Sequence, residues 1–241
     1  MIKEAIQYVV GLARPTVEEV DGQKFSTVQL NRIPANGSVA SLEVNTLSGL
    51  VEYIESNFDS IGPVMVQVKS PTEVYVYDAL DQTKDRRCYL KAAALLPQII
   101  FERFIEREKF QIMLQANFVG STMDLPNDKE TVLKIISTIV ETAEGEIRDN
   151  GLAQSVTMKK GVASVEYGEV PGRVHLKPFR TFAEITQPMS EFILRLREGA
   201  QVGLFEADGG AWELNAIVSI KSYLTEQLAE QVQAKQVVII G

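Results

Sequence analysis

The chain of 241 residues contains one cysteine and one histidine, Cys88 and His175. A single thiol excludes an internal disulfide framework, and one thiol with one imidazole is too few for a Cys/His metal cluster within one chain. His175 has no Ser or Cys in an elbow motif near it, so a nucleophilic triad has no support. We therefore predict a non-enzymatic protein with no cofactor and no bound metal.

Long hydrophobic runs and positive charge are also scarce. No apolar run is long enough to cross a bilayer and no hydrophobic signal region follows Met1, so the expected location is the cytoplasm, with no membrane partner. The net charge is −8. An acidic chain repels phosphate backbones, which makes nucleic acid a poor candidate partner. Hydrophobic residues make up 45% of the chain, as in ordinary globular proteins.

Alternating valines mark the stretch around which the chain is organised, residues 64–96. Valines occupy every second position in 64–68 and again in 74–76, on either side of a Ser-Pro turn, and a third apolar run, 88–96, stops at Pro97. Period-two alternation is typical of strands with one dry face. This pattern predicts a three-stranded meander whose valine-rich face needs a cover.

Helical spacing and turn signals predict the elements on either side of the meander. Asp21-Gly22 indicates a hairpin, and Thr46 is a plausible N-cap for a helix that covers the meander. The apolar stripe of that helix is formed by Leu47, Leu50, Val51, Ile54 and Phe58. Spacing also predicts helices near residues 2–13, 106–117, 132–139 and 212–232, and strands at 192–197, 200–205 and 236–240.

These elements predict an α+β fold with mixed and antiparallel sheets and helices packed on one side. Residues 1–150 form an α+β portion with the central meander, and residues 151–241 form a β-rich portion that ends in a long helix and a terminal strand. A compositional boundary lies near 145–151. We expect the two portions to make one compact, intertwined unit.

Basic residues concentrate in one part of this acidic chain, where residues 152–197 hold seven Lys/Arg against four Asp/Glu. Together with His175 and Phe179 they resemble a basic stripe that holds nucleotides or small anions. A solvated sheet face, or an oligomer contact for the acidic N-terminal half, is the alternative. The candidate ligand-binding residues in this stripe are Lys159, Lys160, Arg173, Lys177 and Arg180.

Gly209 and Gly210 precede the last long helix, where free backbone N–H groups can attract a phosphate or carboxylate. The alternative is that two glycines only permit the turn, because the spacing matches no phosphate-binding motif. Both glycines join the candidate ligand-binding residues.

The C-terminal residues Val237, Val238, Ile239 and Ile240 form an apolar tail. Such a tail is not expected to hang free in water, so it should pair with a strand of its own sheet or of a neighbouring copy. We predict these four residues as an oligomer contact.

Five segments resemble an uncharacterised protein family of phages and prophages of Gram-positive bacteria. They are TMKKGV at 157–162, VHLKPFRTF at 174–182, EFILRL at 191–196, LFEADGGAW at 204–212 and REKFQIMLQANF at 107–118. The resemblance covers about half of the chain, and a fainter one connects it to a prophage family of unknown function in enteric bacteria. Neither carries assigned catalytic residues. What they imply is a phage-encoded accessory or assembly protein, located in the host cytoplasm.

Two hypotheses follow. In the first, a non-enzymatic phage protein self-assembles into a closed homo-oligomer, for which a shell-like particle is one form; the apolar tail and the opposite charges of the N-terminal and middle segments favour it. In the second, the protein binds a nucleotide or small anion and acts as a sponge for a host signal, through the basic stripe and Gly209-Gly210.

Overall fold

The computed structural model describes residues 2–12, 17–20, 23–26, 40–80, 86–138, 148–149, 154–160, 164–197 and 199–241. Its helices are α1 (Ile2–Leu12), α2 (Leu47–Ser56), α3 (Arg107–Asn117), α4 (Lys129–Thr138), α5 (Ala211–Gln227) and α6 (Ala229–Gln233). Its strands are β1 (Val17–Val20), β2 (Gln23–Ser26), β3 (Leu42–Val44), β4 (Val64–Ser70), β5 (Glu73–Asp78), β6 (Cys88–Ala93), β7 (Phe104–Glu106), β8 (Arg148–Asp149), β9 (Gln154–Lys160), β10 (Ser164–Val170), β11 (Arg173–Leu176), β12 (Ser190–Arg197), β13 (Gln201–Glu206) and β14 (Val237–Ile240).

The fold is α+β, as predicted, and the chain divides into two compact units, residues 1–39 and residues 40–241. The first unit contains α1 and the antiparallel pair β1–β2. This hairpin confirms the prediction made from Asp21-Gly22, although the two turn residues lie outside the described residues. The compositional boundary predicted near 145–151 also falls mostly outside them.

A five-stranded sheet with the order β14-β4-β5-β6-β3 forms the centre of the second unit. Its middle is the predicted meander, in which β4, β5 and β6 pair antiparallel. The third strand ends at Ala93 and does not extend to Pro97. The apolar tail is β14, which pairs in parallel with β4 so that Val237 lies opposite Val64.

The valine-rich face of this sheet is covered by α2 and α5, which share one apolar core with it. Thr46 caps α2 as predicted, because its side-chain oxygen accepts a hydrogen bond from the N–H of Gly49. The prediction that Phe58 extends the apolar stripe of α2 is wrong. Asn57 adopts the left-handed conformation with φ 45° and ends the helix, which leaves Phe58 86% exposed.

A second sheet with the order β11-β12-β13-β7 packs against α3 and α4 around a separate core. Strands β8, β9 and β10 form a third sheet. The predicted single helix at 212–232 is interrupted, because Leu228 leaves helical geometry with φ −99° and ψ 26° and separates α5 from α6. The helix predicted near 106–117 is confirmed as α3.

Candidate functional site

A cavity of about 530 Å³ lies in the second unit, between the start of α2, the segment after β6 and residues 177–187, which follow β11. Its volume is in the range of sites that hold small organic molecules. Its walls are mainly apolar, and they include the large side chains of Leu95, Leu96, Leu125, Phe179, Phe182 and Ile185.

Residues 177–187 have no regular strand or helix, and two sets of hydrogen bonds fix them. At the start, the carbonyl of Lys177 accepts from the N–H of Val119 at 2.8 Å, and the N–H of Phe179 donates to the carbonyl of Asn117 at 2.9 Å. The cavity wall is thereby tied to the segment that follows α3.

The buried side chain of Gln187 holds the rest of this segment in a tight bend. Its oxygen accepts from the backbone N–H groups of Arg180 and Thr181, and its amide nitrogen donates to the carbonyls of Thr181 and Phe182. The hydroxyl of Thr181 donates to the carbonyl of Pro71, at the turn between β4 and β5. These hydrogen bonds therefore fix the backbone that lines the cavity.

Two charged groups in the cavity wall have unused hydrogen-bonding capacity. Lys177 is 5% exposed, and no described oxygen lies within hydrogen-bond or ion-pair distance of its Nζ. Oε1 of Glu184 accepts from the N–H and the hydroxyl of Ser48, but its buried Oε2 has no partner among the described residues. A buried polar atom without a partner is costly, so Oε2 of Glu184 is unusual in a wall that is mainly apolar.

Arg180 lies close in sequence but belongs to a separate buried network. Its guanidinium donates to Oε1 of Glu206 at 2.8 Å and to the hydroxyl of Ser190, and it lies 3.9 Å from the centre of the Trp212 ring. Burial lowers the pKa of Arg180 to about 10, so the group is still charged at neutral pH. Burial also raises the pKa of Glu206, against the opposing effect of the Arg180 charge.

The glycine turn before α5 is already occupied by a carboxylate of the same chain. Oδ1 of Asp208 accepts from the N–H of Gly210 at 3.1 Å, and Oδ2 accepts from the hydroxyl of Ser190. Gly209 and Gly210 have φ values of 62° and 81°, the left-handed region that glycine enters without strain. These contacts fit the alternative in which the glycines permit the turn.

The structure distributes the candidate basic residues over different surroundings. Lys159 and Lys160 lie on β9, Arg173 is exposed on β11 and pairs with Glu191 at 2.8 Å, and Lys177 and Arg180 are buried. Arg173, Lys177 and Arg180 therefore do not share one surface, and a ligand-binding role for the set stays a prediction. Sequence reasoning missed Glu184, because nothing in its neighbourhood indicates a cavity.

A second surface of interest is the face of the five-stranded sheet that lies opposite α2 and α5. Met65, Tyr75 and Tyr77 are half-buried there, and the rings of Tyr75 and Tyr77 stack at 5.8 Å. Val238 and Ile240 of β14 extend this face to the edge of the sheet, where both are exposed.

Glu73 connects three strands on the same face. Its carboxylate lies 3.0 Å from Nζ of Lys91 on β6 and 3.3 Å from Nζ of Lys69 on β4. Hydrogen bonds from Lys91 and Lys69 lower the pKa of Glu73, so the folded protein binds a proton there less readily than the unfolded chain.

A pH-dependent loss of stability is expected for Glu73→Gln. The carboxylate contributes its full stabilisation above its ordinary pKa of 4.5, and this contribution is lost as the pH falls through the lowered pKa of the folded state. The variant should therefore melt slightly below the wild type at neutral pH, and the difference should disappear on acidification. Thermal melts over a pH series measure this, with Glu52→Gln on the exposed side of α2 as the control. A difference that persists or grows in acid would contradict it.

Three further properties of the described residues concern the thiol, the grouping of metal-ligating side chains and the helices. Burial raises the pKa of the Cys88 thiol, which disfavours the reactive thiolate. Among the described residues, no three His, Cys, Asp or Glu side chains cluster as metal ligands would. The helices within the described ranges are too short or too polar to cross a bilayer.

Comparison with protein-family models, curated proteins and solved structures found no match for this chain. The resemblance to phage and prophage proteins therefore stays a prediction, and function has to be argued from the geometry.

Proposed function

We propose that this protein is a non-enzymatic assembly protein that forms a closed homo-oligomer through the edge of its five-stranded sheet. The proposal is based on the edge position and the exposed apolar side chains of β14. This strand lies at one end of the strand order, and Val238 on it is 58% exposed. An apolar edge strand without a charged residue is a template for pairing with another chain.

The backbone of β14 has hydrogen-bonding groups available for a second strand. The N–H of Val64 donates to the carbonyl of Gln236, which sets the phase of the parallel ladder between β4 and β14. In such a ladder alternate residues bond to the neighbouring strand, so the N–H and C=O groups of Val237 and Ile239 point outward. In the predicted contact, Val237 and Ile239 would therefore supply backbone hydrogen bonds, and Val238 and Ile240 would supply exposed side chains.

A second copy of the same chain is the partner that fits this edge. Two β14 strands related by a two-fold axis can pair antiparallel, because such an interface matches a surface with itself. The pairing would join two five-stranded sheets and place their Tyr75 and Tyr77 faces side by side.

Closure into a larger particle needs a second contact besides the two-fold edge. The first unit supplies a candidate in α1, whose Ile2, Ile6 and Tyr8 side chains are exposed. An amphipathic helix of this length is marginal in water unless its apolar side packs on another surface. With two different contacts per chain, a closed shell is one accessible assembly.

Paired substitutions test the edge contact. Val238 and Ile240 replaced by lysine should convert the oligomer to a smaller species, because edge lysines oppose strand pairing. Size-exclusion chromatography with light scattering at micromolar concentration measures the mass. Leu214→Lys with Val218→Lys is the matched control, since both residues are exposed on α5 and the change in charge is the same. A monomeric wild type, or equal masses for the edge variant and the wild type, would overturn the proposal.

A second candidate function, ligand binding, is favoured by the unpartnered side chain of Lys177 in the cavity. It does not depend on assembly, because all of the cavity residues belong to one unit of one chain.

A further inference from the structure

We propose that the 530 Å³ cavity binds a small organic acid that carries one negative charge on an apolar body, together with a hydrogen-bond donor elsewhere on that body. The structural basis is the combination of a largely apolar wall with two polar groups that have unused capacity, the ammonium of the largely buried residue Lys177 and the buried Oε2 of Glu184.

Lys177 defines the charge of the ligand. The residue is 5% exposed, lines the cavity and makes no hydrogen bond or ion pair with a described residue. The other two buried cations of the described chain are both engaged, Lys129 by the carbonyls of Gln115 and Phe118 and Arg180 by Glu206. Among the described residues, Lys177 is therefore the buried cation without a hydrogen-bond or ion-pair partner, and a carboxylate or sulfonate would supply one.

The charged residues that line the cavity limit the ligand to a single negative charge. Lys177 is the one cationic residue in the described lining of the cavity, and Glu184 adds a negative charge of its own. A nucleoside di- or triphosphate would bring further charges into an apolar space with nothing to neutralise them. This changes the ligand class expected from the sequence, where a basic stripe suggested nucleotides.

Glu184 defines a second recognition point. Its Oε1 is held by Ser48 at the start of α2, which fixes the carboxylate and leaves Oε2 buried in the lining without a donor. Lys177 and Glu184 are farther apart than an ion pair, because no contact within 4.0 Å joins them among the described interactions. A ligand with an N–H or O–H away from its acidic group would satisfy both residues at once.

The first test uses 8-anilinonaphthalene-1-sulfonate, a fluorescent monoanion with an aromatic body, and N-phenyl-1-naphthylamine, its analogue without the sulfonate. Lys177→Met should weaken binding of the sulfonate about tenfold or more, the usual worth of a buried charge-assisted hydrogen bond. Binding of the neutral analogue should be the same in the variant and the wild type. Lys134→Met, on the exposed side of α4, is the control and should bind both probes like the wild type.

The second variant keeps the positive charge at position 177. Lys177→Arg should keep most of the sulfonate affinity, since the positive charge remains in the cavity. Equal sulfonate affinities for the wild type and Lys177→Met overturn the proposal, and so does the absence of sulfonate binding to the wild type. The proposal is also overturned if Lys177→Met binds neither probe and Lys177→Arg binds neither probe. The lysine would then only maintain the shape of the cavity.

The donor on the ligand is tested by competition against the same fluorescent sulfonate. We expect 5-aminonaphthalene-1-sulfonate to bind the wild type about tenfold more tightly than naphthalene-1-sulfonate. Glu184→Gln should remove that difference, because it can retain the acceptor for Ser48 while an N–H₂ group replaces the free oxygen. Equal affinities of the two sulfonates for the wild type would refute the role of Glu184. The variant with lysines at 238 and 240 should bind all probes normally, which separates this result from the assembly test.

Discussion

Replacement of Arg180 by methionine is expected to lower the free energy of unfolding by about 2–3 kcal/mol, because it removes a buried guanidinium from charge-assisted hydrogen bonds while its partner Glu206 is 39% exposed. The loss has several sources. The guanidinium bonds to Glu206 and Ser190 disappear, Asp208 loses a nearby positive charge, and Trp212 loses the cation against its ring.

The matched control is Arg173→Met. Arg173 and Glu191 also form an ion pair at 2.8 Å, but the Arg173 side chain is 63% exposed whereas that of Arg180 is 7% exposed. An exposed pair contributes less than about 1 kcal/mol, because water screens the charges. Urea unfolding of both variants measures the difference. Arg180→Lys should have a free energy of unfolding between those of Arg180→Met and the wild type. Equal losses of stability in Arg180→Met and Arg173→Met would show that burial of the Arg180 network contributes nothing.

Replacement of Lys177 by methionine is expected to have the opposite sign and to stabilise the protein by up to about 1 kcal/mol, because a largely buried lysine without a protein partner is only partly compensated by solvent in the cavity. Methionine has nearly the same length and no charge, so it can fill the space of the lysine chain beside an apolar cavity. The gain should appear in the protein without ligand as a higher urea midpoint at unchanged slope.

Lys129→Met is the control for this second prediction. Lys129 is also buried, but its Nζ donates to the carbonyls of Gln115, in the last turn of α3, and Phe118, the residue that follows this helix. Its replacement leaves these carbonyls without their donor and should destabilise the protein. A loss of stability in Lys177→Met comparable to that in Lys129→Met would mean that Lys177 has a structural partner.

Local patterns were sufficient to predict much of the fold. Valine alternation located the strands of the meander, and Thr46 marked the first residue before α2, because strand periodicity and helix capping depend on residues a few positions apart. The end of α2 was less predictable. Phe58 has the correct helical spacing, but the left-handed Asn57 ends the helix before it, and the residue type alone does not require that conformation.

Pairings between distant residues could not be derived in the same way. The sequence indicated that β14 is a strand. Parallel strands are not joined by a tight turn, so no local signal in the sequence identifies β4 as its partner. The cavity depends on contacts of the same kind, such as the one from Thr181 to Pro71. Lys177 was predicted as part of a basic, ligand-binding stripe, and it is buried because residues 177–187 follow a non-repetitive path to which strand alternation does not apply.

The position of β14 beside β4 also has a consequence for biosynthesis. The ribosome releases β4 long before β14, so the nascent chain must carry one bare flank of the meander until the tail arrives. During that interval the flank is a target for chaperones and for misassociation with other nascent chains. Chains truncated before residue 237 should therefore accumulate in the insoluble fraction of expressing cells, although they lack only a few residues.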